Sequence, residues 1–416
     1  MGIHSPNEAD FMPVETIEPA ARCPHFGECG GCQSQDVPYP QQLAEKSRVL
    51  TELFAPHWGA AVAVHASPAL WHYRNKVDPA FAPMQYETPP PKDFERDTVL
   101  GFKKKGRWFW PLEIETCAIG PEGLGDLLAS VRAWYREDGL RAYDNKRGGG
   151  FLRNLLVRTG AQTGERMVVL ITRSGELDGA KFVEAVQRAW PADSVQWGIN
   201  DLPAEVATAH ELRPLHGADT ITAAMRIPNA SGPLDLRFRI SPFSFFQTNT
   251  AAAEVLYGVI RSWTREVAPR HLYDLYGGSG GIAFSCADLV EQVWSVEEVE
   301  SASIDGRHNA EVNGIGNVLF FTQDVRIYLK DHLQGEGLAA DSLVVTDPPR
   351  AGMHPKALRR LMELAPRHIL YVSCNPKILA RELEVLSNAY RLARLEAVDL
   401  FPHTRHVEAV ALLERR

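Results

Sequence analysis

From residue 241 onward, short apolar runs alternate with amphipathic stretches along the chain. HLYDLY (271–276), QVWSVE (292–297), NVLFF (317–321), LVVT (343–346) and HILYVS (368–373) are strand-length and mostly apolar. Between them, Ile282 to Leu289, Ser301 to Asn313 and the stretch from Pro355 carry helical periodicity. Runs of this kind, bracketed by helix-length segments, predict βαβ units in a parallel sheet buried on both faces. YRLARLEAVDLF and HVEAVALLERR add a closing hairpin. Seven strands so arranged describe a doubly wound, Rossmann-like α/β domain over 241–416.

Upstream the texture differs. WHYRNKVDPAFAP, VLGFKKKGRWFWPLEI, FLRNLLVRT, ERMVVLITR and LDLRFRIS predict antiparallel strands, with helices near Gly123 to Tyr135 and Gly179 to Trp190. TPPPKDFERD and KRGGG are loops. This gives a β-rich domain over 61–240, preceded by a cysteine-bearing segment, 1–60, whose PYPQQLAEKSRVLTELF predicts a helix with Leu43, Val49, Leu50 and Leu53 on its apolar side.

In a parallel sheet, ligands and chemistry collect at the carboxyl edge. Asp347-Pro348-Pro349-Arg350 ends one predicted strand and Cys374 ends the next, so an acid and a thiol share one crevice. Asp274-Leu275-Tyr276-Gly277-Gly278-Ser279-Gly280-Gly281 follows the first strand and opens a helix, letting the backbone approach a nucleotide-type ligand. Glu297, at the next strand end, is placed to accept from ribose hydroxyls. Gly278, Gly280 and Ala283 also satisfy a dinucleotide G-x-G-x-x-A pattern, which leaves NAD open.

The formal charge of −8 excludes a uniformly basic nucleic-acid coat, so RNA contact must be local. Lys103-Lys104-Lys105-Gly106-Arg107 beside Trp108, Phe109 and Trp110, and Lys146-Arg147 leading to Arg153, are two such patches. An exposed hairpin with a buried aromatic edge explains either patch equally well. The opening MGIHSPNEADFMPVE lacks an export signal and no run reaches transmembrane length, so a cytoplasmic chain without a membrane partner is expected. Three of the six cysteines, Cys23, Cys29 and Cys32, fall in CPHFGECGGC. In a reducing compartment this cluster suggests metal ligation, with Cys117 as a fourth ligand and either an iron–sulfur cluster or structural zinc as the bound group.

SPFSFFQTN (241–249), DPPRAG (347–352), YVSCNP (371–376) and HVEAVALL (406–413), with YRNK and the cysteine loop, together resemble the RNA uracil-C5 methyltransferase family, specifically its iron–sulfur branch acting on 23S ribosomal RNA. The resemblance covers nearly the whole chain and implies a class I S-adenosylmethionine-dependent methyltransferase domain. It implies Cys374 as the nucleophile that adds to uracil C6 and Glu408 as the general base that resolves the adduct. It places Gln247, Tyr276, Glu297, Asp324 and Asp347 around the cofactor and base, and a [4Fe–4S] cluster on Cys23, Cys29, Cys32 and Cys117.

Taken singly, these residues have plainer explanations: Cys374 a buried thiol, Glu408 an exposed strand carboxylate, Asp324 a helix cap, His403 and His406 turn residues. Cys286 reads as core. The family's glycine loop usually has cysteine and asparagine where this chain has Gly277 and Gly281, which removes an asparagine contact to the cofactor. Barely twenty residues precede Cys23, so the N-terminal oligonucleotide-binding (TRAM) module of some members is expected to be absent. Two alternatives stand beside the ribosomal reading: a transfer RNA uracil-C5 methyltransferase, and a non-catalytic RNA-binding or assembly protein on the same fold. No obligate protein partner is implied.

Overall fold

The computed structural model describes residues 21–416 except 89, 92–93, 204–205 and 230–231, together with all but the side chain of Trp108. The opening stretch, on which the expectation of no export signal rests, lies outside the described residues. Helix α1 (Tyr39–Phe54) leads into β1 (Ala63–His65). A central unit follows: β2 (Lys76–Val77), β3 (Ala80–Pro83), β4 (Thr98–Lys104), β5 (Arg107–Glu113), α2 (Leu124–Glu137), β6 (Leu152–Thr159), β7 (Arg166–Thr172), α3 (Gly179–Ala189), β8 (Ser194–Ile199) and β9 (Glu211–Gly217). Its sheet runs β5-β4-β3-β6-β7-β8-β9, with β2 beside β6. One face is covered by α2 and α3, whose Leu127, Val131, Phe182 and Val186 pack with Leu155, Val157, Val168 and Leu170.

The antiparallel expectation for this unit fails at one place. β7 and β8 are parallel, Met167 pairing with Ser194, because α3 intervenes and returns the chain to the same edge.

The hairpin β10 (Ile221–Ile227) and β11 (Leu234–Ile240) is followed by α4 (Thr250–Val267), β12 (His271–Leu275), α5 (Gly281–Cys286), β13 (Gln292–Glu297), α6 (Glu300–Val312), β14 (Val318–Thr322), α7 (Val325–Gln334), β15 (Ser342–Thr346), α8 (Pro355–Leu364), β16 (His368–Ser373), α9 (Pro376–Leu386), β17 (Tyr390–Val398) and β18 (Glu408–Arg415). The second large sheet runs β1-β17-β18-β16-β15-β12-β13-β14. Along β15, Leu343 and Val345 join one buried cluster and Val344 the other, the signature of a strand covered on both faces.

The seven strands expected from 241–416 are joined by an eighth from outside that span. β1 lies parallel to β17, Ala63 opposite Glu396 and His65 opposite Val398, and α1 packs on α9 with Leu50 and Phe54 in the sheet's core. The β10–β11 hairpin, expected with the central unit, packs on α4 and α6 and shares one apolar cluster with both sheets.

On α1, Lys46 reaches into the protein, its Nζ 2.6 Å from Asp399 Oδ1, with side chains 8% and 0% exposed. Burial pulls the Lys46 ammonium below its ordinary pKa and raises Asp399, each partly offset by the other's charge. Removing one partner strands a buried charge. Lys46→Met is therefore expected to lower unfolding free energy by about 3 kcal/mol, read as a drop in the urea midpoint at constant slope; an unchanged midpoint would show the pair to be neutral.

Candidate active site

Strands β12, β13, β14, β15 and β16 are mutually parallel and end at one edge of the sheet. Just beyond those ends stand Tyr276, Asp324, Asp347 and Cys374, with Glu297 as the last residue of β13. β18 runs the other way, so it begins at that edge. Its last pair with β16 is Ser373 opposite Ala409, which leaves Cys374 and Glu408 as the next residues outward on the two strands. Glu408 itself closes the β17–β18 ladder opposite Val398.

A cavity of about 1070 Å³ opens at this edge and is lined by Gln247, Tyr276, Glu297, Asp324, Asp347, Cys374 and Glu408. All seven residues singled out from sequence for catalysis and cofactor binding thus share one wall. Arg74, Phe245, Arg350, Phe401 and His406 also line it.

The SPFSFF loop is held from the central unit. Arg158, 1% exposed on β6, donates from one guanidinium nitrogen to the carbonyls of Ser241 (2.7 Å), Pro242 (3.0 Å) and Ser244 (2.8 Å). Asn75 donates from Nδ2 to the Gln247 carbonyl at 2.8 Å and to Thr250 Oγ1 at 2.9 Å. Asn75 stands in the YRNK motif, but Arg158 carried no sequence signal, since its three acceptors lie more than eighty residues away.

Glu297 accepts from the Gly278 N–H at 3.0 Å through Oε2 and from the Val299 N–H at 2.7 Å through Oε1, which fixes its carboxylate beside the glycine loop. Asp324 caps α7, accepting from the Arg326 N–H at 2.6 Å, and also pairs with the Arg326 guanidinium; that hydrogen bonding holds its carboxyl below the usual range. The helix-cap explanation of Asp324 therefore holds alongside its place in the cavity wall.

The glycine loop explains its own departures. A Cβ on Gly277 would fall 2.1 Å from Ser295 Oγ, and one on Gly281 would fall 2.5 Å from Tyr257 Oη. The Tyr257 ring, 7% exposed on α4, occupies the space that a side chain at 281 would need.

The crevice is acidic. Burial pushes Asp347 and Asp274 each up to about 7, with the Asp347 charge adding to the shift on Asp274. Burial, then the Asp347 charge, holds Glu408 well above the usual carboxylate range. Cys374 is pushed up to about 11 by burial and by Glu408 and Asp347, against Arg350, which acts the other way. These acids oppose thiolate formation at Cys374, and a cationic ligand would be favoured here. The glycine cradle, the fixed Glu297 and this acidic wall fit a nucleoside carrying a sulfonium.

A second cavity, of about 560 Å³, is lined by Cys23, Cys29, Cys32 and Cys117 with Phe26, Arg74 and Lys104. The fold brings the fourth cysteine to the first three, although no group of three or more His, Cys, Asp or Glu side chains among the described residues is drawn close enough to hold a metal ion. Of the basic patches, Lys104 and Arg107 lie over the Trp110 ring at 5.8 and 5.0 Å, and Phe109 is exposed. Arg153 is not available to phosphate: it is 5% exposed and donates to the Asn200 carbonyl at 2.8 Å. Cys286 is fully buried, and no helix among the described residues is long and apolar enough to cross a membrane.

Residues 217–416 match the family model described as tRNA (uracil-5-)-methyltransferase. Over 411 residues the chain is 33% identical to an uncharacterized RNA methyltransferase of Caldanaerobacter subterraneus, covering 97% of this chain and 86% of that one. An uncharacterized RNA methyltransferase of Chlorobaculum tepidum is 36% identical over 422 residues, 96% of this chain and 84% of that one. Among solved structures, the Pyrococcus abyssi tRNA (uracil-54, C5)-methyltransferase in complex with S-adenosyl-L-homocysteine superposes with a TM-score of 0.70 at 28% identity, over 91% of this chain and 84% of that one.

Gly281→Asn is expected to weaken S-adenosylmethionine binding and destabilise the fold by about 2 kcal/mol, the usual range for a side chain forced into filled space. Adding Tyr257→Ala should recover part of the binding by vacating that space. Calorimetric titration of the single and double variants checks both; a single variant that binds like wild type would mean the loop can yield.

Proposed function

The chain belongs to the S-adenosylmethionine-dependent RNA uracil-5-methyltransferase family, and from that membership we propose that it methylates C5 of a specific uridine in RNA through a covalent adduct with Cys374. The observation that carries this reading is the meeting of Cys374 and Glu408 at the edge where β16 ends and β18 begins, in one cavity with the expected cofactor residues.

Uracil C5 is a weak nucleophile. Addition of the Cys374 thiolate to C6 makes C5 enolate-like, and C5 then takes the methyl group that S-adenosylmethionine supplies. Glu408 removes the remaining C5 proton; the electrons of that C–H bond form the C5–C6 double bond, the C6–S bond breaks, and the thiolate is restored. The raised pKa of Glu408 makes it a stronger base toward the C5 proton than an ordinary carboxylate. Asp347 and Gln247 are assigned to the ligand and the polar edge of the base, Tyr276, Glu297 and Asp324 to the cofactor. The target uridine is flipped out of its stack into the cavity.

Cys23, Cys29, Cys32 and Cys117 are assigned a [4Fe–4S] cluster of structural role. The motif resemblance is what favours the cluster over zinc; all four cysteines line one cavity. The RNA is read as 23S ribosomal RNA, on the motif resemblance; the likeness to a solved tRNA (uracil-54, C5)-methyltransferase supports transfer RNA as the second reading.

Mass spectrometry of ribosomal and transfer RNA from a deletion strain tests all of this. Loss of 5-methyluridine at one position, restored by wild type and not by Cys374→Ala, is the expected result and identifies the RNA. Glu408→Gln is expected to leave a gel-stable protein–RNA adduct. No change in any RNA, with no adduct, would favour a binding protein.

A pH profile provides a second check. Both working groups act deprotonated, and both are raised, Cys374 to about 11. Single-turnover methylation should therefore still be rising with pH above neutrality and level off only as the Cys374 thiol ionises, toward about 11; a flat profile would remove these groups from the slow step.

A further inference from the structure

The connection from β17 to β18, residues 399–407, brings the chain to Glu408 and contributes Phe401 and His406 to the active-site cavity. It turns at His403, a non-glycine residue at φ 65° that is 2% exposed. Such backbone conformations persist only where the surroundings over-determine them. Here the surroundings are the cysteine loop and the start of α1.

The His403 carbonyl accepts from the N–H groups of Gln33 (2.8 Å) and Ser34 (3.1 Å), the two residues after Cys32. The His403 N–H donates to Gln42 Oε1 at 2.9 Å, and Gln42 Nε2 lies 3.2 Å from His403 Nδ1. The same Gln42 Nε2 donates to the Ser34 carbonyl at 2.8 Å, so one buried amide ties the turn to the loop on both sides. Gln33 Oε1 accepts from the Arg405 N–H at 3.3 Å while its Nε2 donates to the Gly30 carbonyl at 3.0 Å. The His403 ring stacks on Trp71 at 4.0 Å. The loop between Cys29 and Ser34 is thus bonded directly to the backbone that leads to the base.

We propose that Gln33 and Gln42 are positioning residues for the release step, holding the His403 turn so that Glu408 reaches the C5 proton only while the cysteine loop is folded against it. This rests on the assignment of Glu408 as base. Cys374 is carried by β16 rather than by the turn, so loosening the turn is expected to delay proton removal far more than addition.

The test compares two RNA substrates on the purified full chain with its metal content checked. RNA containing 5-fluorouridine traps the adduct irrespective of the base, because fluorine cannot leave as a cation, and it reports addition and methyl transfer. Ordinary RNA reports release. Gln42→Ala is expected to lengthen the lifetime of the ordinary adduct about tenfold and Gln33→Ala about threefold, as small misplacements of a catalytic group do. Trapping rate with 5-fluorouridine RNA and S-adenosylmethionine affinity should stay at wild-type values.

A wild-type adduct lifetime in folded Gln42→Ala, or a trapping rate that falls in step with release, overturns the proposal. If the buried amide is needed for folding, the half-exposed Gln33 decides it by the same two outcomes. Failure of the wild-type chain to trap 5-fluorouridine in either ribosomal or transfer RNA would instead overturn the catalytic reading beneath it.

Discussion

One reversed strand organises the active-site edge. In a sheet of parallel strands every carboxyl end lies on one side, so side chains contributed there all leave their strands in the same sense. β18, inserted antiparallel between β16 and β17, is the exception: it starts where its neighbour stops. Its register with β16 brings the first residue of one strand beside the residue just past the other, and those are Glu408 and Cys374. A shift of one residue would turn both side chains to opposite faces. The juxtaposition of Cys374 and Glu408 is therefore held by ladder hydrogen bonds and by the buried Val410, Leu412, Val372 and Leu370 of the same strands.

That geometry has an electrostatic consequence. Asp347 and Glu408 face one enclosed space in which neither carboxylate ionises at its ordinary pH, and their charge pushes the neighbouring thiol upward. The free crevice is thus poorly disposed to form a thiolate. A positive ligand charge among these acids reverses the balance, stabilising both the carboxylates and the thiolate. On the proposed mechanism, methyl donor and nucleophile would be coupled through the field of the site, without any contact between them being required.

Much of this was legible in the chain. The strands that lead to Tyr276, Asp347 and Cys374 are short, apolar and followed closely by glycine or proline, so pattern and punctuation located them, whereas the strand ending at Glu297 was located by its pattern alone. The long motifs supplied the residue assignments that periodicity does not. What stayed hidden has physical reasons. β1 is three residues long and shows no period, so its pairing with β17 more than three hundred residues later left no local trace. Helices α4, α7 and α9 lie between motifs whose strand ends dominate the pattern. Arg158 resembled any strand arginine; its role comes from three carbonyls presented by a distant loop. Gly281 looked like a lost ligand contact, and only Tyr257, standing in the vacated space, explains why no side chain fits.

The two cavities share a wall. Arg74 lines both, its guanidinium 5.7 Å from the Phe401 ring centroid on the active-site side. Its neighbour Tyr73 donates to the Pro402 carbonyl at 3.1 Å and packs with Cys32 and Ile119, while Asn75 holds the Gln247 loop. Tyr73, Arg74 and Asn75 thus reach, in that order, the turn before β18, both cavities and the Gln247 loop. The cysteine-bearing part of the chain is consequently not an appendage joined by a linker. Its folding is continuous with that of the crevice, and disturbing either cavity strains backbone that the other depends on.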